Sequence, residues 1–254
     1  MKRSLLVTAV CLAASASVLL AQQPINEAPP VNRVIVTHLG GVSIPPVYGA
    51  PFSATVKIQN EKQLADGSTE TSHNINLVGR DSLGRTHGEL RISYPNTVGM
   101  PILAEIHIFD PQTRENINYD LATHIVRRQV LPEPRTSTGA SNPQVTFEDL
   151  GTDTIENFIV KGTRRTLIVP ARTSGTGAPV TVVDEYWYSE DLHLNLLLHH
   201  NDPRSGQQTI AFTNIKRGDP PPSFFEIPAG YTIIDLPPPG AGKTANGGGG
   251  VPAR

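Results

Sequence analysis

The feature that most constrains the fold is a two-residue alternation of apolar and polar side chains, repeatedly interrupted by turn residues. Residues 52–59 alternate strictly, which is typical of a strand with one buried face. An Asp-Gly pair at 66–67 then favours a hairpin, and the alternation returns in residues 102–108 and 117–125. The first half of the chain is therefore predicted to be an antiparallel meander.

The second half repeats this pattern. Strands are expected at 145–148, 155–169 and 180–188, with a turn at 149–154 between the first two. Residues 192–200 have the clearest alternation of all. Its four leucines are expected to share one face of a strand: Leu192, Leu194, Leu196 and Leu198.

Composition supports a β-rich chain with loose ends. Glycine and proline number 22 and 23 among 254 residues, and only 17% of residues are charged, which disfavours a helical bundle or a coiled coil. Residues 132–144 are rich in Pro, Ser and Thr and are expected to form a flexible linker. Residues 237–254 are expected to be disordered, because they contain too little apolar surface to offset the entropy of ordering.

The N-terminus has the pattern of a secretory signal peptide. Lys2 and Arg3 precede an apolar segment of suitable length, and cleavage is expected after Ala21, although Ala14–Ala16 also fits the small-residue rule. An uncleaved membrane anchor is the alternative. Cleavage removes Cys11, which is the chain's single cysteine, so disulfides, a thiolate nucleophile and a cysteine metal site are excluded from the mature chain. An exported chain without cysteine suits a bacterial envelope.

These features divide the chain into segments. Residues 1–21 are the signal peptide and 22–50 an extended N-terminal segment. Residues 51–131 and 145–236 are the two β-meanders, which the linker 132–144 joins. Residues 237–254 form the Pro- and Gly-rich tail, and no transmembrane span is expected after signal cleavage.

Several chemical functions find little support. There is no basic patch with interleaved aromatic residues, so nucleic acid is not expected as a partner. Gly242-Lys243 lacks the earlier glycine of a phosphate loop, because Pro237 occupies that position. His193 and His199 are too far apart along one strand to share an ion. No metal and no cofactor are predicted.

A hydrolase is the alternative from another functional class. Glu185, Glu190 and Asp191 flank the aromatic run around Trp187, and paired carboxylates beside aromatic side chains occur in glycosidase clefts. A solvated turn beside an aromatic strand explains the same residues without catalysis. The chain also lacks the Gly-x-Ser-x-Gly pattern of a serine nucleophile. A non-enzymatic protein is therefore expected.

Three segments resemble a family of uncharacterised secreted β-rich proteins of acidobacteria-like soil bacteria. They are FEDLGTDTIENFIVKGTRRT (147–166), DEYWYSEDL (184–192) and NDPRSGQQTIAFTNIKRGDPPPSFFEIPAGYTI (201–233), and the resemblance extends over about residues 50–234. The family implies no activity. More distantly, the Trp-bearing strand, hairpin and Phe-x-x-Pro pattern is similar to periplasmic lipoprotein-carrier and envelope-stress-regulator domains. This resemblance implies a half-barrel sheet curled around an apolar groove.

Together these observations predict an all-β or nearly all-β protein with disordered termini. The expected architecture is a strongly curved antiparallel sheet, like a half-barrel, or two coupled sheets. The expected function is an exported, non-enzymatic binding or interaction protein of the periplasm or the secreted fraction, with an apolar ligand, a lipid or an envelope protein as partner. A purely structural envelope protein is a further alternative. The candidate ligand contacts, which equally fit an ordinary core, are Trp187, Leu192, Leu194, Leu196, Leu198, Ile210 and Phe212.

Overall fold

Twelve strands form one sheet in the computed structural model, which describes residue 42 and residues 44–92, 101–134 and 144–239. The predicted signal peptide and most of the predicted linker and tail lie outside the described residues. In chain order the strands are β1 (Phe52–Gln63), β2 (Thr69–Arg80), β3 (Thr86–Ile92), β4 (Ile102–Asp110), β5 (Glu115–Asp120), β6 (Ile125–Val130), β7 (Val145–Ile155), β8 (Phe158–Val169), β9 (Val180–Ser189), β10 (Leu194–Asp202), β11 (Gly206–Arg217) and β12 (Thr232–Asp235). The one α-helix of the described residues is α1 (Ala171–Ser174). A short 3-10 helix spans Pro222–Phe224.

The sheet order is β12-β6-β5-β4-β3-β2-β1-β11-β10-β9-β8-β7. Strands β1–β6 form one meander and β7–β11 a second, and the pairing of β1 with β11 joins them into a single sheet. All pairs are antiparallel except β12 with β6. The expectation of a nearly all-β protein with an open, curved sheet is confirmed, with the parallel pair as the difference.

Contacts between distant strands show that the sheet curls. Arg80 of β2 donates a hydrogen bond from Nη2 to the carbonyl oxygen of Leu192, just before β10, at 2.5 Å. The guanidinium of Arg217 on β11 lies 4.3 Å from the ring centroid of Phe158 on β8. In the sheet order, β2 and β10 are three positions apart, and so are β11 and β8. In a flat sheet this spacing is about 14 Å, which is farther than one arginine side chain reaches. We call the face that carries Val56 and Val78 the inner face.

A large core lies inside the curl. It combines alternate residues of β1 with apolar residues of β2, β8, β10 and β11 and with Val42 and Ile44 from the N-terminal side. The alternation seen in the sequence of β1 corresponds to burial, because Phe52, Ala54 and Val56 are almost fully enclosed. Burying apolar side chains of this size stabilises a fold by about 1.5–3 kcal/mol each.

The segment after β11 covers the opposite face of β2–β6, and we call residues 218–231 the strap. It crosses the sheet and then adds β12 beside β6. Its apolar residues pack on a second core formed by Ile108, Ile117, Tyr119 and Val126. The Tyr119 hydroxyl donates a hydrogen bond to the carbonyl oxygen of Glu226 at 3.1 Å. This crossover explains the parallel pair, because the strap returns the chain to the far edge before β12 begins.

The expected turn at 149–154 is wrong. Strand β7 continues through these residues, with a bulge between Asp149 and Gly151, where Gly151 has φ +80°. Glycine in this conformation fits a strand bulge as well as a turn. The chain reverses instead at Glu156 and Asn157, whose φ angles of 49° and 65° are those of a tight hairpin.

No helix among the described residues has both the length and the apolar composition needed to cross a membrane.

Candidate functional site

The structure gathers the residues that the sequence named as ligand contacts into the large core. Each of the four leucines is at most 8% exposed, and Ile210 and Phe212 are equally enclosed. Trp187 is half-buried and packs against the same core. These positions serve as interior packing in the structure, and their role as ligand contacts stays a prediction.

The leucine row enters one core, as a shared face predicts, but it is not one uninterrupted strand. Leu192 lies in the turn before β10, and the register of β10 against β9 shifts between Asn195 and Leu197. A bulge of this kind places two residues opposite one and interrupts the alternation. The row is buried throughout in spite of this, because the curl of the sheet encloses β10.

A cavity of about 530 Å³ remains open at the other end of the sheet. Its apolar lining comes from β3, β4 and the β5–β6 turn: Leu90, Ile102, Leu103, Ala104, Leu121 and Ala122. Its polar lining is Glu105, Asn118, Asp120 and Arg127, one or two from each of β4, β5 and β6. Strand register places Glu105 on the same inner face as Val78, through Gly88 and His107. The cavity and the large core therefore share one face of the sheet.

Two carboxylates lie side by side in the lining of the cavity. Glu105 of β4 is directly opposite Asp120 of β5 in the antiparallel register, and opposed side chains in such pairs are about 5 Å apart at Cβ. Like charges in this position destabilise a sheet. The Arg127 guanidinium lies 3.9 Å from Asp120, while no ion pair of Glu105 is formed within the described part of the chain.

Local hydrogen bonds keep Asp120 ionised. Its Oδ1 accepts hydrogen bonds from the backbone N–H groups of Ala122 and Thr123, both at 3.1 Å. Hydrogen bonds from Thr123 hold the pKa of Asp120 below its ordinary value, and Arg127 lowers it further. The cavity therefore contains two acidic groups and one basic group, a net charge of about −1 when all are ionised.

A second polar group lies at the β8–β9–β10 end of the inner core. Asp184 accepts from the Nη1 of Arg165 at 2.7 Å and contacts Nδ1 of His200 at 2.6 Å. The hydrogen bond to Asp184 raises the pKa of His200, and burial raises the pKa of the adjacent Tyr186 to about 12. Asp184 therefore joins Arg165 and His200 in one hydrogen-bonded group, which is how buried polar side chains are satisfied.

Each carboxylate of the hydrolase alternative forms an ion pair with a different cation. Glu185 pairs with Arg164 at 2.8 Å. Glu190 pairs with Lys161 at 3.2 Å, and Asp191 with Arg217 at 2.7 Å. A glycosidase needs two carboxylates that face one bond, whereas each of these faces its own cation. Among the described residues there is also no group of three or more His, Cys, Asp or Glu that would hold a metal ion.

Sequence reasoning did not single out the cavity residues. Glu105 was visible only as a polar residue that alternates with the isoleucines of β4. The isoleucines Ile106 and Ile108 do lie on the face covered by the strap. Asp120 and Arg127 come close to Glu105 because β4 pairs with β5 and β5 pairs with β6 in a particular register. No local sequence pattern indicates this register.

Comparisons with known proteins identify similar structures only at low similarity. No protein-family model matches the chain, and no curated protein matches it. An uncharacterized conserved protein from Thermus thermophilus is 13% identical with a TM-score of 0.42, over 74% of this chain and 91% of that one. In the MucA/MucB complex of Pseudomonas aeruginosa the matched chain is 11% identical with a TM-score of 0.41, over 73% of this chain and 58% of that one. LprF from Mycobacterium bovis is 12% identical with a TM-score of 0.33, over 72% of this chain and 91% of that one.

Proposed function

We propose that this protein is an exported, non-enzymatic binding protein that holds a small apolar or amphipathic ligand on the inner face of its curled sheet. The cavity at β3–β6 carries the proposal. Its volume of about 530 Å³ lies within the range of ligand pockets. An apolar wall with a few convergent polar groups is also the usual composition of such a pocket.

The location outside the cytoplasm rests on the N-terminal sequence. A basic start followed by a short apolar segment is the pattern of a signal peptide. Expression of the full chain in a bacterial host should give a periplasmic or secreted product whose N-terminus begins at Gln22. A product that keeps residues 1–21 would contradict cleavage at that position.

Ligand binding is tested first on the protein as it is exported. The mature chain is purified without detergent and measured by native mass spectrometry, before and after extraction with organic solvent. A bound mass that extraction removes supports the proposal. Nile red, a neutral apolar dye, then serves as the probe, and an enhanced, saturable emission is expected on binding.

A matched pair of variants locates the dye. Ala122→Phe adds a ring to the cavity wall and should weaken Nile red binding at least about fivefold, since the ring occupies space that an apolar ligand needs. Ala229→Phe adds the same ring at an exposed position on the strap and should leave binding unchanged. Equal binding by both variants would contradict the cavity as the site.

The leucine row is tested in the same titration. Trp187, the chain's single tryptophan, packs on the core that contains the row. If ligands enter that core, its emission must change when an apolar compound such as decanol is added. If decanol leaves the Trp187 emission unchanged although Nile red binds saturably, the binding is assigned to the cavity alone.

A further inference from the structure

We propose that the cavity selects ligands that carry one positive charge, an alkylamine in chemical terms, over neutral or anionic ligands of the same length. This inference rests on the proposed function and specifies its ligand class. It comes from three observations: the opposed carboxylates of Glu105 and Asp120, the position of Arg127 and the apolar walls around them.

The charges of the cavity do not balance. Arg127 lies near Asp120 rather than between the two carboxylates, because it extends from β6, beyond β5. Glu105 is on the β4 side, where the adjacent inner-face residue His107 is hydrogen-bonded to Asn116. The basic residue nearest along β3, Arg91, is paired with Glu89 at 2.9 Å. Within the part of the chain that the structure describes, one carboxylate charge in the cavity is therefore left uncompensated.

An ammonium group placed beside Glu105 and Asp120 removes this imbalance. It offsets the repulsion of two like charges that face each other across a strand pair, and it donates charge-assisted hydrogen bonds to both carboxylates. Leu90, Leu103 and Leu121 lie in the same lining and provide contact for an alkyl chain. Among the described residues that line the cavity, Arg127 is the one cationic partner for a carboxylate ligand, and its guanidinium already lies 3.9 Å from Asp120.

The experiment compares three ligands that differ only in the head group. Decylammonium, decanol and decanoate compete with Nile red for the mature full-length protein at low ionic strength, at concentrations below the onset of micelles for the two ions and below the solubility limit of decanol. Decylammonium should displace the dye at about one tenth of the decanol concentration, and decanoate should be the weakest, as expected for a net charge about 5 Å away in a partly solvated site. The ammonium preference should shrink as salt is added.

Three variants change the charge of the cavity in opposite directions. Glu105→Gln and Asp120→Asn each remove one negative charge and should reduce the ammonium preference to about twofold or less. Asparagine keeps the side-chain oxygen that caps the β5–β6 turn, so this variant is expected to fold even if Glu105→Gln does not. Arg127→Gln should instead increase the preference, because it leaves both carboxylates uncompensated.

The outcomes separate this inference from the proposed function. A preference for decylammonium that follows the three variants supports both. Equal displacement by the three ligands, or a preference for decanoate, overturns the charge selectivity and leaves the binding function standing. If neither Nile red nor any of the three ligands binds, both proposals are wrong.

Discussion

The guanidinium of Arg80 is fully buried and joins three segments of the chain. Its Nε and Nη2 donate to the carbonyl oxygen of Ala50, its Nη1 donates to that of Pro45, and Nη2 also donates to that of Leu192. No carboxylate pairs with it in the described part of the structure, and burial lowers its pKa to about 10. Backbone carbonyls and the Phe52 ring, whose centroid lies 5.1 Å from the guanidinium carbon, therefore surround this cation, in an arrangement that only the folded chain provides.

Replacing Arg80 should destabilise the protein strongly. Arg80→Met keeps much of the side-chain volume but leaves three carbonyl oxygens without their donor, which should lower the free energy of unfolding by at least about 3 kcal/mol. Arg80→Lys should recover only part of this loss, since one ammonium does not reach all three carbonyls. Urea denaturation measures both, and an unchanged midpoint for Arg80→Met would contradict the role assigned to the guanidinium.

Gly162 lets Trp187 pack against β8. A Cβ atom at position 162 would lie 2.8 Å from Cβ of Leu150 and 2.8 Å from the indole ring, closer than packed carbon atoms allow. Gly162→Ala should therefore move the indole, change the emission of the chain's single tryptophan and cost about 1–3 kcal/mol. Gly88→Ala is the matched control, because its nearest neighbour would be 3.5 Å away. Identical tryptophan spectra for both variants would contradict this prediction.

At the scale of elements, strands β8, β9 and β10 hold a polar cluster whose stability depends on pH. The hydrogen bond to Asp184 raises the pKa of His200 above 6.5, although burial opposes the shift. The contribution of protonated His200 is therefore complete below pH 6.5 and is lost as pH rises through the raised pKa. Burial by itself would raise the pKa of Asp184, but His200 and Arg165 hold it below 3.8. Its contribution is lost only as pH falls through that lowered pKa.

His200→Gln tests this dependence. The wild-type protein should lose stability above pH 6.5 relative to the variant, because glutamine does not titrate. Asp184→Asn should weaken the same dependence, since it removes the main cause of the raised pKa of His200. Burial lowers the pKa of His87, which gives an opposite dependence, but this term cancels in the difference between wild type and variant. Urea midpoints at several pH values measure the difference, and parallel curves for wild type and His200→Gln would contradict the prediction.

At the scale of the whole molecule, the strap determines how the far edge of the sheet ends. Its residues Phe225, Ile227 and Tyr231 cover the second core, and β12 pairs with β6 through four residues. A bidentate ion pair between Arg128 and Asp235 holds this short strand in place. Strap and strand together therefore cover one face and one edge of β6.

Ending the chain after Asp219 should expose both the covered face and the paired edge of β6. The truncated protein should bind 1-anilinonaphthalene-8-sulfonate strongly, and the amides of β6 should exchange hydrogen faster by at least about tenfold, because an unpaired edge and an apolar face are left in water. A chain ending after Pro239 keeps the strap and β12 and serves as the control. Wild-type exchange in β6 after truncation at Asp219 would contradict the assigned role of the strap.

Much of the strand content was predictable because alternation is a local property. The strand through Phe52 and Val56 could be recognised from the spacing of its side chains, and burial confirms that spacing. The turn expected at 149–154 was wrong because a glycine with positive φ serves a bulge or a turn equally well. The sequence therefore indicates strands more reliably than it indicates how the chain passes between them.

The cavity depends on tertiary structure. Each of the residues Glu105, Asp120 and Arg127 is an ordinary polar position on its own strand, and only the register of three neighbouring strands brings them together. The leucine row shows the same limit of sequence-based prediction. Alternation predicts an apolar face, but it does not predict whether other side chains cover that face or whether it stays open to a ligand. In the structure, the curl of the sheet brings apolar residues of other strands against the leucines and buries them.

By itself, the sequence determined that this chain forms a nearly all-β protein of two successive meanders, because side-chain period and turn chemistry act over a few residues. Only the tertiary structure decided that β1 and β11 join the meanders into one sheet, that the strap adds a parallel strand and that two carboxylates lie side by side in a cavity. These features depend on pairings between residues as much as 165 positions apart, as for Phe52 and Arg217, and no local pattern encodes such pairings.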